Sequence, residues 1–219
     1  MTAIIGFCDL LLQRHGVGDP SFADLIQVKN NANRAAGLVK QLLAFSRKQP
    51  LQPKFIDVTE NFAELSQMLK RVLGESIELQ FHHGSNLGFV KVDPVQFSQV
   101  IINLAVNAKD AMNGRGKLTI TTRTEQLKTP QQFGEETIKP GDFVVIDVKD
   151  TGCGIAKEDI DKIWDRFYKS DSSRGRDKKG SGLGLSITKE VIQAHGENID
   201  VVSTVGVGTE FIFTLELAK

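Results

Sequence analysis

Three polar side chains on one predicted helix are the first candidates for chemistry. Asn103, Asn107 and Asp110 recur about one turn apart, on a stripe separate from Phe97, Ile101, Leu104, Ala108 and Ala111. Asparagine has middling helical propensity and competes with the backbone for hydrogen bonds, so amides at successive turns point to a user outside the helix. The plain alternative is an amphipathic helix with two solvated amides. Downstream, Asp150-Thr151-Gly152-Cys153-Gly154-Ile155 joins a carboxylate to two glycines after an apolar run. Alone it is an ordinary turn, because Asp and Gly are residues that turns prefer. Gly180-Ser181-Gly182-Leu183-Gly184-Leu185 opens another predicted helix. Its third glycine is misplaced for a Rossmann fingerprint and no strand directly precedes it; no Gly-Lys-Ser/Thr exists for a P-loop. Between these segments, Trp164-Asp165-Arg166-Phe167-Tyr168-Lys169 leads into a polar run with Arg174, Arg176, Lys178 and Lys179, whose plain reading is a charged loop. Gly206-Val207-Gly208-Thr209 lies between two predicted strands, as a hairpin turn would.

The elements that position these residues follow from local signals. Asp93-Pro94-Val95-Gln96 has the form of an N-cap, a proline at the first helical position and a glutamine placed for a capping box, so the amide-bearing helix starts near Asp93. Val58 to Leu73 predicts a helix with Phe62, Leu65, Leu69 and Val72 on one face and Gly74 as its stop. Ile77 to Phe81, Gly88 to Val92, Lys117 to Glu125 and Phe143 to Val148 have strand composition. Residues 128–141 have loop chemistry. A strand meander with helices on one side makes an α+β two-layer sandwich of residues 56–219. Before it, residues 1–48 predict an antiparallel helical hairpin: Ile4, Ile5, Cys8, Leu11 and Leu12, then a break at Gly16, Gly18 and Pro20, then Phe22, Leu25, Ile26, Lys29, Ala32, Ala36, Val39, Leu42 and Leu43. A single helix pair cannot enclose a core, so pairing with a second chain as a four-helix bundle is expected, the alternative being that the pair packs on its own downstream domain. Residues 49–55, with Pro50 and Pro53, form the expected linker.

The run N-L-A-V-N-A-K-D-A-M resembles the N box of the GHKL (Bergerat) superfamily, the ATP-binding domains of sensor histidine kinases, gyrase and related ATPases. The Asp150 segment resembles its G1 box, Trp164 to Lys169 its F box, the Gly180 segment its G2 box, and Gly206 to Thr209 its terminal turn. Four boxes in order, over about half of the chain, imply a Mg²⁺-ATP site. The resemblance implies that Asn107 ligates the magnesium and that Asn103 stands beside the triphosphate; Asp110, at a place where the family often has a basic residue, is a site member without an assigned role. It makes Asp150 and Thr209 the readers of adenine, with Gly152, Gly154, Ile155, Phe167 and Tyr168 around the nucleotide. Gly180, Ser181, Gly182, Leu183, Gly184 and Leu185 would present backbone to the phosphates, with Lys169 and the lid cations neutralising charge. In the ATPase branches a glutamate stands at the position of Asn103; asparagine cannot serve as that base, so transfer to a histidine is implied rather than hydrolysis, with Asn103 and Lys169 as the catalytic positions. The remaining readings are a nucleotide-binding pseudokinase or scaffold, and a GHKL ATPase.

Residues 2–12 are similar to the continuation of the H box, whose acceptor histidine would stand just upstream of Met1; His15, His82, His83 and His195 do not match it. The expectation is a partial dimerisation and phosphotransfer hairpin without its acceptor. The resemblance implies as partners ATP and ADP, a histidine-containing phosphotransfer helix, a response-regulator receiver domain and a second copy through residues 1–48. Residues 1–110 are most similar to alphaproteobacterial hybrid kinases of the cell-cycle type, which adds cyclic di-GMP as a possible regulator. From about residue 140 the chain is more similar to the common class of sensor kinases, implying a divergent relative or a recombination. The chain's 219 residues carry 27 basic and 27 acidic side chains, which argues against a bulk-electrostatic nucleic-acid or membrane-surface role. Two distant cysteines without ligand spacing suit a reduced, cytoplasmic setting, and no run reaches the ~18 apolar residues of a membrane span. A membrane-anchored parent remains compatible with this.

Overall fold

A computed structural model describes residues 2–33, 50–133, 136–169 and 181–218. The chain divides into two units at Pro50/Leu51. In the first, α1 (Thr2–Arg14) is followed by a turn and a second helix, α2, described over 22–33. The turn is closed by Asp19, which accepts from the Ser21 N–H at 2.8 Å and pairs with His15 at 2.7 Å. Cys8 and Ala32 are buried, whereas Ile4, Phe7, Leu10 and Ile26 are exposed. Ala36, Val39, Leu42 and Leu43 of the predicted second helix lie outside the described residues.

The second unit is built on a five-stranded sheet in the order β2-β4-β7-β9-β8. Its strands are β2 (Ile77–His83), β4 (Gly116–Leu127), β7 (Gly141–Asp150), β8 (Ile199–Thr204) and β9 (Gly208–Glu216). β2 and β4 run parallel from Ile77↔Gly116 to His83↔Thr122, and the other pairs are antiparallel. The predicted meander is therefore interrupted: β3 (Phe89–Val92) and α4 (Pro94–Ala111) cross between β2 and β4. Alternate residues Leu118 and Ile120, Val144, Ile146 and Val148, and Phe211, Phe213 and Leu215 point to one face, where the buried sides of α3 (Val58–Leu73) and α4 cover them. Phe62 of α3 meets Phe97 of α4 edge-on at 5.7 Å, and Phe97 meets Phe213 of β9 at 6.4 Å, so three aromatic rings tie both helices to the sheet. Truncating a ring buried in this way costs about 3–5 kcal/mol.

Two expectations need correction. The linker's last residues are a strand: β1 (Lys54–Asp57) pairs antiparallel with β3, Lys54 opposite Val92. Pairing with a distant segment overrides the extended linker that the prolines suggested. The region expected as loop, 128–141, holds a short hairpin of β5 (Gln131–Phe133) and β6 (Glu136–Ile138).

α4 is placed from both ends. Asp93 caps it through Oδ1, which accepts from the N–H groups of Val95 and Gln96, while Oδ2 accepts from Gln52 N–H at 3.0 Å. Burial pushes the Asp93 pKa up, but these three backbone donors outweigh it and hold the carboxyl below its usual range. The Asp93 N–H donates to His195 Nε2 at 2.9 Å, and His195 Nδ1 lies 2.7 Å from the Val191 carbonyl. A carbonyl only accepts, so the ring proton sits on Nδ1 and Nε2 is the acceptor. One histidine thus joins the start of α4 to the end of α6 (Gly184–Ala194), which follows the short α5 (Lys157–Ile160).

Candidate nucleotide site

The end of β7 delivers Asp150 into the interior, where it is only 5% exposed. Its Oδ1 accepts from the Gly152 N–H at 2.7 Å and from the Thr209 N–H at 3.4 Å. Burial pushes its pKa up against those two donors. The loop that follows is pinned on both sides: the Cys153 N–H donates to Ala111 O at 3.1 Å, at the end of α4, and the Ile155 N–H donates to Ser203 Oγ at 2.8 Å on β8. The β8–β9 turn closes over the same loop, with Gly206 N–H donating to Cys153 O at 2.8 Å. Gly208 has φ +144°, and a Cβ there would overlap the Asp150 carbonyl, so the close approach of β9 to Asp150 requires glycine. Thr209 is 4% exposed, and its hydroxyl lies 3.0 Å from Ser203 Oγ.

α4 and the start of α6 form the second part of the site. Asn103 spends both ends of its amide inside the protein: Oδ1 accepts from Gln99 Nε2 at 2.7 Å, and Nδ2 donates to the Gly184 carbonyl at 3.3 Å. It thereby holds the first turn of α6 against α4. One turn on, Asn107 faces the same glycine, and a Cβ on Gly184 would meet its amide at 3.4–3.5 Å. Asn107 Nδ2 is buried and has no hydrogen-bond partner among the described residues. Leu183 stands at the N-cap of α6 and gives no side-chain cap, so among the described residues no side chain caps its first N–H groups, which could meet a ligand. Gly182, at φ +70°, lies against the backbone of Phe167, where a Cβ would come within 2.8 Å; the Phe167 N–H donates to the Gly182 carbonyl at 2.8 Å. The aromatic segment and the glycine-rich segment are therefore one packed unit. Tyr168 is tied to Asp159 at 2.6 Å, and Phe167, itself at φ 64°, is 66% exposed. Ser181, Leu185 and Lys169 are half-buried nearby in sequence, and Asp110 is exposed on α4. Gly180, Arg174, Arg176, Lys178 and Lys179 lie outside the described residues.

The structure brings Asp150, Gly152, Ile155 and Thr209 into one network through Ser203, with Gly154 packed against the Thr204 carbonyl, and Asn103, Asn107 and Gly184 into another. Sequence reasoning missed Ser203 and His195, whose partners are distant in the chain, and Gln99, whose bond to Asn103 is a local pair one helical turn apart.

A family model described as histidine kinase-, DNA gyrase B- and HSP90-like ATPase matches residues 92–219. The chain belongs to that family. It is similar to sensor kinase CckA of Brucella abortus (strain 2308), 44% identical over 211 residues that cover 96% of this chain and 22% of that protein. The similarity thus runs through nearly the whole chain, and the chain spans about a fifth of that relative's length. Among solved structures, full-length ShkA in complex with AMPPNP superposes with a TM-score of 0.73 at 21% identity, over 98% of this chain and 43% of that one. The histidine kinase ThkA in complex with response regulator TrrA gives 0.65 at 23% identity, over 99% and 57%. Both show the same fold.

Proposed function

We propose that this chain is the ATP-binding and catalytic part of a two-component sensor histidine kinase, holding Mg²⁺-ATP for phosphoryl transfer to a histidine. The observation that carries this is Asp150: a buried carboxylate with one oxygen held by two backbone N–H groups and the other without a partner among the described residues. An acceptor so placed fits the exocyclic amine of adenine and rejects the carbonyl of guanine. At the other end, the orphaned Asn107 amide and the uncapped start of α6 suit a triphosphate. A single amide ligand fits magnesium, which takes its remaining ligands from water and phosphate. Asn107 would hold the ion, which neutralises phosphate charge when bound. Lys169 and the cations after it add positive charge.

Asn103 favours transfer over hydrolysis. Its amide is no base, and both its ends are occupied by Gln99 and Gly184. The acceptor would be a histidine on a phosphotransfer helix. A response-regulator receiver is the proposed next partner, as the ThkA complex has for that kinase. The exposed apolar residues of α1 and α2 support a homodimer through residues 1–48. A cytoplasmic setting is compatible with the described helices, none of which is long and apolar enough to cross a membrane. Cyclic di-GMP as a second ligand rests on the resemblance alone and is tested by titration into the ATP-loaded protein.

The deciding measurement is calorimetry of ATP and ADP with and without magnesium. The parent binds, Asp150→Asn binds far more weakly, and Asn107→Ala loses the magnesium dependence. An Asp150→Asn protein that binds as tightly as the parent would remove the base contact from this reading.

A further inference from the structure

A threonine hydroxyl can donate or accept, so Thr209 by itself cannot tell an amine from a carbonyl. Ser203 resolves this by proton count. Its single Oγ meets three polar groups: the Ile155 N–H at 2.8 Å, the Gly208 carbonyl at 3.0 Å and the Thr209 hydroxyl at 3.0 Å. The N–H can only donate, so Ser203 accepts there. The carbonyl can only accept, so it takes the one proton Ser203 has. What remains on Oγ is a lone pair, and Thr209 must spend its own proton on it. The Thr209 oxygen then has only lone pairs to offer elsewhere. Asp150, whose Oδ1 accepts from the Thr209 N–H, is likewise an acceptor.

We propose that Ser203 is a specificity-positioning residue: by fixing the Thr209 proton it makes the Asp150–Thr209 pair acceptor-only, selecting a purine with an amine at C6 over one with a carbonyl. This rests on the adenine reading of Asp150. A carbonyl at C6 would face two acceptors in a buried place, where only the neighbouring N1–H could pair with one of them.

The test compares ATP with inosine triphosphate, which keeps the sugar and phosphates but carries a carbonyl at C6 and a proton on N1. Binding of both is measured by calorimetry for the parent, Ser203→Ala, Thr209→Val and the double variant. Ser203→Ala also strips partners from Ile155 and Gly208 and weakens both nucleotides alike, so the readout is the ratio of the two affinities within each variant. The parent prefers ATP. Ser203→Ala narrows that preference by about fivefold, roughly one hydrogen bond, because the freed Thr209 proton can turn to the carbonyl. In the Thr209→Val background the serine substitution leaves the ratio unchanged, since no hydroxyl remains to steer. Should the alanine variant fail to fold, Ser203→Cys, with its weak donor, narrows the ratio in the same direction. A Ser203 variant that keeps the parent's preference, or narrows it equally without the Thr209 hydroxyl, overturns the proposal. A parent that binds both nucleotides equally fails at Asp150 instead and takes this inference with it.

Discussion

The two ends of the site differ in how far the protein satisfies them before any nucleotide arrives. At the Asp150 end, Ser203, Ile155, Gly152, Gly208 and Thr209 hydrogen-bond to one another or to Asp150 Oδ1, which leaves Oδ2 alone without a partner among the described residues. At the α4–α6 end, Asn107 Nδ2 is buried without a partner, and α6 is without a side-chain cap, among the described residues. A base is rigid and flat and is recognised by a fixed pattern of acceptors, so its end can be finished in advance. A triphosphate brings charge, metal and water, and the groups that meet it stay unpaired until it does. Changes to the backbone of the closed end should cost stability and binding together; the open end should trade one for the other.

The largest effect is expected from the backbone of the closed end. Gly208→Ala places a methyl against the Asp150 carbonyl at a φ of +144°. Strain and overlap together should cost about 3 kcal/mol or more, read by urea unfolding, and ATP binding should vanish with it. Asp150→Asn is gentler to the fold. The amide oxygen can still accept from Gly152 and Thr209, while the amide nitrogen now aims a donor at a donor. ATP affinity should fall about 10- to 100-fold by calorimetry with the unfolding midpoint little changed. Acidification should mimic this: burial raises the Asp150 pKa, so protonation, and with it loss of binding, sets in above the ordinary carboxylate range.

How much of this was legible follows the reach of each interaction along the chain. The Asp93 cap, the stop at Gly74 and the alternation of β4 and β7 are written within a few residues, and the fold class followed from them. β1 was not legible, because its partner Val92 stands far from Lys54 in sequence. Asp150, Asn107 and Thr209 were found through residue type and motif. Their supports were not: Asn103 reaches Gly184 across 81 positions, Asp93 reaches His195 across 102, and Ile155 reaches Ser203 across 48. A serine in a strand carries no mark that its proton is committed.

Glu197 sharpens the comparison because it is a half-buried polar group at neither end. Its carboxylate accepts from the Glu216 N–H at 2.6 Å and the Thr214 hydroxyl at 3.1 Å, yet burial outweighs both and raises its pKa from 4.5 to about 6. A raised carboxyl favours the protonated fold, so its contribution is complete below the unfolded value of 4.5 and is lost as pH climbs through about 6. The loss above that window is about 2 kcal/mol. Glu197→Gln should flatten the stability curve between these pH values, measured by urea unfolding across the range, and leave ATP affinity at neutral pH unchanged. A slope that persists in the variant would assign it to another group.

The smallest effect has the opposite sign and separates the two ends most directly. A buried donor without a partner costs about 1–3 kcal/mol, and the fold carries that cost at Asn107 Nδ2. Asn107→Ala removes the orphan. It also gains helix propensity, at most about 0.7 kcal/mol at any ordinary helix position. The nucleotide-free protein should therefore be more stable than the parent by about 1 kcal/mol, and any gain beyond the propensity share belongs to the orphan. Magnesium-dependent ATP affinity should fall at the same time, so that saturating Mg²⁺-ATP stabilises the parent much more than the variant. A variant less stable than the parent without nucleotide would mean that the amide is held by the protein after all, and the phosphate end would then be as closed as the base end.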